Sequence, residues 1–381
     1  MTKIISVVGA RPNLMKAAPV IEALRRRSGV TAMLIHTGQH YDRAMSQLFF
    51  EQLGLPKPDL DLHVGSASHG EQTGQIMIRF EPVLKQENPD LVMVFGDVNS
   101  TVAASLCAAK MGIPVAHVEA GLRSFDRTMP EELNRIVTDH LCEFLFTTEP
   151  SARKNLLKEG IPEKKIHFVG NVMVDTLLKH RERAQTLNFA EKLGLPLRGY
   201  ALLTLHRPSN VDDPETLTNI LDAMWEIGKR LPIVFPCHPR TRAQLPALAE
   251  RLPWLKGENL GAEKRIIITE PLGYLEFLSL MNSARFVLTD SGGIQEETTV
   301  LNVPCLTLRE NTERPITVEQ GTNILVGNRR DRLLAAADKV LSDRGHEGRV
   351  PELWDGQAAE RIAGILRSSL REPSGGTGPR L

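Results

Sequence analysis

The chain has 381 residues, more than one hydrophobic core usually serves, so two domains of ordinary size are expected. Its 46 Lys and Arg balance 46 Asp and Glu, which argues against a general nucleic-acid binder but leaves room for a small cationic pocket around a phosphate. No signal-peptide pattern, no long apolar run and no CxxC occur, and Cys107, Cys142, Cys237 and Cys305 stand far apart; the reading is a reduced, cytoplasmic protein without a membrane span or a zinc framework.

Short β-branched runs come first: "KIISVVG" (3–9), "TAMLIHTG" (31–38), "DLVMVFGD" (90–97), "PVAHVEA" (114–120), "FLFTTE" (144–149) and "IHFVGN" (166–171). Helical patterns separate them at 14–27, 69–87 and 99–111. A charged helical stretch, 173–199, ends in the turn-like "GLPLRGY" and reads as a hinge. The pattern then restarts with "YALLTLH" (200–206), "PIVFPCH" (232–238), "RIIITEP" (265–271), "FVLTDSGG" (286–293), "PCLTLRE" (304–310) and "TNILVG" (322–327). Near-continuous apolar strands spaced by helices imply parallel sheets covered on both faces. The expected architecture is α/β, with two doubly wound, Rossmann-like domains facing across a cleft. They span 1–172 and 173–354, with a last helix at 355–371 and a disordered tail at 372–381.

Ligands of open parallel sheets bind outside the carboxyl ends of the strands. In the first half those ends carry Arg11, Lys16, Gln39, His40, Asp97 and Glu119, followed by Glu131 at a helix start. In the second half they carry His206, Arg207, His238, Arg240, Asp290, Ser291 and the "LRENTERP" charges. Each residue alone is more often a cap or a loop charge; their joint placement is what points to a site. "DSGGIQEE" offers backbone N–H groups at a helix N-terminus, where Gly292 and Gly293 let a diphosphate approach, Ser291 donates, and Glu297 is placed to accept from ribose hydroxyls. The carboxylates Asp97, Glu119 and Glu131 suit proton transfer; sharing a pocket would push their pKa values apart. A GxGxxG fingerprint and a GxxxxGK[ST] loop are both missing, so neither NAD nor a P-loop nucleotide is expected, and no metal.

The motifs "GARPNLMKAAP", "TGQHYD", "GDVNST", "HVEAGLRS", "MPEELNR", "GNVMVDTL", "TLHRPSN", "LTDSGGIQEE" and "ERPITVEQGTN" follow one another along nearly the whole chain. In this the chain resembles the non-hydrolysing UDP-N-acetylglucosamine 2-epimerases. The resemblance implies a GT-B-like fold whose C-terminal helix returns to the N-terminal domain. It also implies a homodimer that interconverts UDP-GlcNAc and UDP-ManNAc with no cofactor. Asp97, Glu119, Glu131 and His206 then match the catalytic set. Arg11, Lys16, Gln39, His40, Arg135, Arg207, His238, Phe277, Ser291, Gly292, Gly293, Glu297 and Arg314 match residues around the sugar and UDP. The implied chemistry expels UDP from C1 while a carboxylate removes the C2 proton, and re-addition inverts C2. Asp97 and Glu131 are the expected proton-transfer pair, with Glu119 in support.

Three positions depart from the family pattern, Asp42, Gln75 and Ser209, where members that need UDP-GlcNAc as activator carry other residues. The exact sugar stays open, because related enzymes act on uronic-acid or 3-acetamido derivatives; Arg79 or Arg127 would suit a sugar carboxylate. A hydrolysing epimerase that releases ManNAc shares most of these residues. A UDP-sugar glycosyltransferase and a non-enzymatic sensor are the rivals from other classes, and three carboxylates on the sugar side disfavour both.

Overall fold

Burial on both faces is visible in the strand "LVMVF", Leu91–Phe95, all five of whose residues are sealed from solvent. The computed structural model describes residues 1–39, 52–54, 57–255, 265–342 and 348–370. It divides into two units, Met1–Lys179 with the segment from Glu352 onward, and His180–Pro351. The division falls inside the helix Val172–Thr186, so the stretch read as a hinge is for the most part helical.

The first unit holds a parallel sheet of β1 (Thr2–Val8), β2 (Val30–His36), β3 (Leu60–Asp61), β4 (Leu91–Phe95), β5 (Val115–Ala120), β6 (Phe144–Thr147) and β7 (Ile166–Phe168). Their order across the sheet is β3-β2-β1-β4-β5-β6-β7. The second unit repeats the plan with β8 (Ala201–Thr204), β9 (Ile233–Pro236), β10 (Ile266–Thr269), β11 (Phe286–Thr289), β12 (Cys305–Thr307) and β13 (Asn323–Leu325), in the order β10-β9-β8-β11-β12-β13. The direction in which the chain progresses across each sheet reverses once, between β1 and β4 and again between β8 and β11. Those are the switch points where doubly wound sheets leave a crevice.

Most strands stop short of their expected ends. The run expected over 286–293 leaves the ladder after Thr289, because Asp290 and Ser291 turn the chain into the helix Gly292–Leu301. The same happens at 90–97, where β4 ends at Phe95 and the positive-φ Gly96 (φ 63°) turns the chain away. The two-residue β3 carries too little pattern to be read from sequence. Residues 372–381, expected as a disordered tail, lie outside the described residues.

After Pro351 the chain is back in the first unit. The indole N–H of Trp354 donates to the Thr148 carbonyl at 2.9 Å. The final helix, Ala358–Ser369, has no cap from its own Gln357; instead the Asp175 carboxylate accepts from Ala358 N (3.2 Å) and Ala359 N (2.7 Å). Asp175 therefore supplies the acceptor that helix N-termini otherwise lack. Substituting Asp175→Ala is expected to lower stability by about 1 kcal/mol and Asp175→Asn by less. Chemical denaturation of the variants checks this, and an unchanged midpoint for the alanine variant would contradict the capping role.

Candidate active site

In the first unit the polar residues converge on the β1–β4 switch point. Asn13, three residues into the loop-to-helix turn, accepts from Gly9 N and Ala10 N (3.3 and 3.1 Å) and donates to the Phe95 carbonyl at 2.7 Å. One turn on, Lys16 reaches the carboxylate of Glu119 at 2.6 Å, the two side chains being 6 % and 2 % exposed. Glu119 gets there through a bulge: Val118 pairs with Phe146 and Ala120 with Thr147, leaving Glu119 as the extra residue. Its φ of 77° is left-handed, a conformation that costs a non-glycine residue about 1–2 kcal/mol. Gly96 sits against the same lysine; its φ of 63° is left-handed, and a Cβ there would lie 2.8 Å from the Lys16 Nζ, so glycine is favoured.

Asp97 follows. Its carboxylate meets Arg135 at 2.5 Å, and its backbone carbonyl accepts from Asn134 at 2.9 Å. Arg135 is shared with Glu132 at 2.7 Å, and Glu132 in turn accepts from Ser124 N and Phe125 N, both at 2.9 Å. Glu132 is thus consumed in shaping the loop. Glu131, on the first turn of the helix Pro130–Leu141, is half-buried and has no hydrogen-bond or ionic partner among the described residues. Glu119 thus pairs with Lys16, Asp97 shares Arg135 with Glu132, and among the described residues Glu131 is uncommitted.

Gln39 is used locally, its amide oxygen accepting from Ser100 N (2.9 Å) and Ser100 Oγ (2.6 Å). Arg79 donates from Nη1 to the carbonyls of Leu62 and His63 at 2.8 and 2.6 Å. Arg127 is exposed. His40, Asp42 and the side chain of Arg11 lie outside the described residues.

In the second unit the β8–β11 switch point is organised by Asp290, which is wholly buried. It accepts from His206 Nδ1 at 2.8 Å, from His206 N at 3.0 Å and from Arg207 N at 2.9 Å. Burial pushes its pKa up, but the hydrogen bond and charge of His206 and the two N–H groups outweigh this and hold it below the usual carboxylate range. The His206 ring, 41 % exposed, lies 5.8 Å from that of His238, whose Nδ1 caps the helix Pro239–Leu248 by accepting from Arg240 N.

Beside it, Ser291, Gly292 and Gly293 open the helix Gly292–Leu301; among the described residues the Ser291 hydroxyl makes no cap bond. A Cβ on Gly292 would strike the guanidinium of Arg314. Arg314 is fixed by Glu296 (2.7 Å) and Glu313 (2.6 Å), and Glu313 also meets Arg309 at 2.8 Å. The Arg314 guanidinium and the Glu313 carboxylate thus stand together at a helix N-terminus, whose free N–H groups suit an anion. One turn into that helix, Glu297 is buried and accepts from the Tyr274 hydroxyl at 2.9 Å. Burial pushes its carboxyl up to about 8 against the opposing hydrogen bond. Phe277 is half-buried one turn along the helix Tyr274–Ser283.

Sequence reasoning missed Asn13, Asn134, Asp139 and Tyr274, whose roles depend on partners far away in the chain. Ser209 is exposed and Gln75 half-buried. Among the described residues no three His, Cys, Asp or Glu side chains gather as metal ligands, and no helix is long and apolar enough to cross a membrane.

Two Rossmann-like parallel sheets, each with polar residues at its switch point, define an α/β protein of the GT-B-like class. A family model described as UDP-N-acetylglucosamine 2-epimerase matches residues 22–367. The UDP-N-acetylglucosamine 2-epimerase of Methanocaldococcus jannaschii is 46% identical over 376 residues, covering 96% of this chain and 98% of that protein. Its crystal structure in complex with UDP-GlcNAc and UDP superposes with a TM-score of 0.88, covering 96% of this chain and 100% of that one. The UDP-2,3-diacetamido-2,3-dideoxy-D-glucuronate 2-epimerase of Pseudomonas aeruginosa is 42% identical over 373 residues, covering 96% of this chain and 99% of that protein. The chain belongs to the UDP-N-acetylglucosamine 2-epimerase family and is, by class, an isomerase.

Glu297 gives a pH test. Its folded pKa of about 8 stands above the ordinary 4.5, so its contribution to stability is full below pH 4.5 and is lost as pH rises through about 8. Wild type should therefore lose a few kcal/mol relative to Glu297→Gln between pH 5 and 8, at about 1.4 kcal/mol per pH unit at most. Thermal melts across that range check it; parallel curves for the two proteins would refute it.

Proposed function

We propose that the protein interconverts UDP-GlcNAc and UDP-ManNAc without a redox cofactor, by eliminating UDP and adding it back. The observation that carries this reading is the carboxylate set at the ends of β4 and β5, with Glu119 against Lys16 and Asp97 against Arg135. The C2 proton of the sugar is not adjacent to a carbonyl, so a base alone cannot remove it at a useful rate. When the C1–O bond breaks, UDP leaves with the bonding pair, C1 becomes electron-poor and the C2 proton is acidified. A carboxylate takes that proton and a C1=C2 double bond forms, giving 2-acetamidoglucal. UDP oxygen then attacks C1 again while an acid returns a proton to the opposite face of C2.

Asp97, 21 % exposed at its side chain, and the uncommitted Glu131 are the proton-transfer pair in this reading. Glu119, held by Lys16 and all but sealed from solvent, supports them as a fixed charge. Ser291, Gly292, Gly293 and Arg314 receive the diphosphate, with His206 beside them, and Glu297 and Phe277 serve the nucleoside. Arg11, Gln39, His40, Arg207 and His238 complete the set. The working enzyme in this reading is a cytoplasmic homodimer that supplies ManNAc-type sugars for cell-surface polysaccharides.

A second reading has a specific support: the P. aeruginosa relative, named for a 2,3-diacetamido uronate, is nearly as similar as the M. jannaschii one. Both readings meet one experiment, incubation of each UDP-sugar with the enzyme in deuterium oxide. UDP-GlcNAc should acquire deuterium at C2 and yield UDP-ManNAc with no added NAD or metal. Exchange with the uronate alone would move the substrate, and accumulation of free ManNAc would make the enzyme a hydrolysing one. Asp97→Asn and Glu131→Gln should each lower kcat roughly 10²–10⁴-fold, the range of general acid–base catalysis, while UDP affinity stays within about threefold.

A further inference from the structure

Beneath the Asp97 and Glu119 loops lies a buried ionic group that the proposed chemistry leaves unused. His117, fully buried on β5, has both ring nitrogens on acceptors: Nδ1 lies 2.7 Å from Asp139 Oδ1 and Nε2 lies 2.8 Å from the Gly96 carbonyl oxygen. Neither acceptor carries a hydrogen to share, since Asp139 also accepts from Gly121 N at 3.1 Å and from the Arg123 guanidinium at 2.7 Å. The ring thus bridges the Asp139 carboxylate and the Gly96 carbonyl. Arg123 is answered in turn by Glu159, through contacts of 2.8 and 2.7 Å.

What this group grips is backbone, at two places. Gly96 immediately precedes Asp97, and its carbonyl lies in hydrogen-bond contact with His117 Nε2. Gly121 lies two residues beyond the bulged Glu119, and its N–H is held by Asp139. One carboxylate thus fixes the chain on both approaches to the two acids, once directly and once through a histidine.

We propose that Asp139, His117 and Arg123 form a positioning network that sets the two catalytic loops. The network holds the Gly96–Asp97 turn and the Glu119 bulge in register with each other and touches no substrate. The inference rests on the assignment of Asp97 and Glu119 to the reaction. A group of this kind acts on kcat, because misplacing a reacting carboxylate by about 1 Å costs on the order of 10²-fold while leaving nucleotide binding alone.

Two variants of the full chain separate positioning from mere packing. The amide nitrogen of His117→Gln stands near Nε2 and keeps the bond to Gly96; that of His117→Asn stands near Nδ1 and keeps only the bond to Asp139. Both lose the ring. His117→Gln is expected to retain kcat within about tenfold, and His117→Asn to lose about 10²-fold, with KM and UDP affinity moved less than about threefold in either. Amide hydrogen exchange should quicken over 95–98 in His117→Asn and much less in His117→Gln.

Equal losses in kcat and equal exchange in the two variants would overturn the proposal, as would full activity in both. If wild type shows no C2 exchange with any UDP-2-acetamido sugar, the proposed reaction fails by itself. The network then stands or falls on the exchange contrast over 95–98.

Discussion

The pair of Lys16 and Glu119 sets the terms for the first unit. Bringing two opposite charges to 2.6 Å with both side chains nearly sealed from solvent carries a desolvation cost that the attraction scarcely repays. Two packed apolar side chains would serve stability as well. The pair nonetheless dictates much around it. Gly96 is favoured as glycine because the ammonium crowds the space a Cβ would take, and its positive φ ends β4 and presents Asp97. Glu119 must leave the ladder through a bulge and accept a left-handed backbone to reach the lysine. Local strain and a dehydrated charge at one spot are the marks of a sequence kept for chemistry.

The second unit solves the matching problem with the charges differently arranged. Its switch point is built on Asp290, which is spent entirely inward on His206, Arg207 and Asn210. What faces the ligand position is donor in character: the first N–H groups of the helix Gly292–Leu301 and the arginines beside them. Those arginines are held in place by Glu296 and Glu313 and need no reorganisation to meet an anion. On the proposed reading, the repeated order of strands carries two chemistries, acids in one copy and anion receptors in the other, set by the residues that follow the strands.

Much of this was legible in the sequence, and for one reason. A parallel strand covered on both faces must be almost wholly apolar, so the first polar residue after it marks both the end of the strand and the rim of the crevice. That is why Asp97, Glu119, His206 and Asp290 could be read as site residues, and why the runs were drawn too long, absorbing Gly96, Asp97 and Asp290 into strands. Backbone devices left no such mark. The bulge at Glu119 puts a left-handed conformation on a glutamate, a residue that gives no hint of it. His117 reads as an ordinary strand residue until Asp139, 22 positions on, is seen beside its ring. The contacts of Gln39 with Ser100 and of Arg79 with the Leu62 and His63 carbonyls likewise left no mark in the sequence.

On the proposed reaction, the partners of the carboxylates say where the driving force must come from. Asp97 lies 2.5 Å from Arg135 and Glu119 lies 2.6 Å from Lys16, so an ion pair fixes the position of each carboxylate. A design that relied on base strength would have isolated these acids from cations and buried them in apolar surroundings. The arrangement instead favours placement over basicity, which works only if the C2 proton has been made acidic by other means. Departure of UDP does so, since the developing positive charge at C1 withdraws electrons from the C2–H bond. The burden of catalysis therefore falls on the groups that stabilise the departing diphosphate, and the carboxylates need only be where the proton is when the C1–O bond opens.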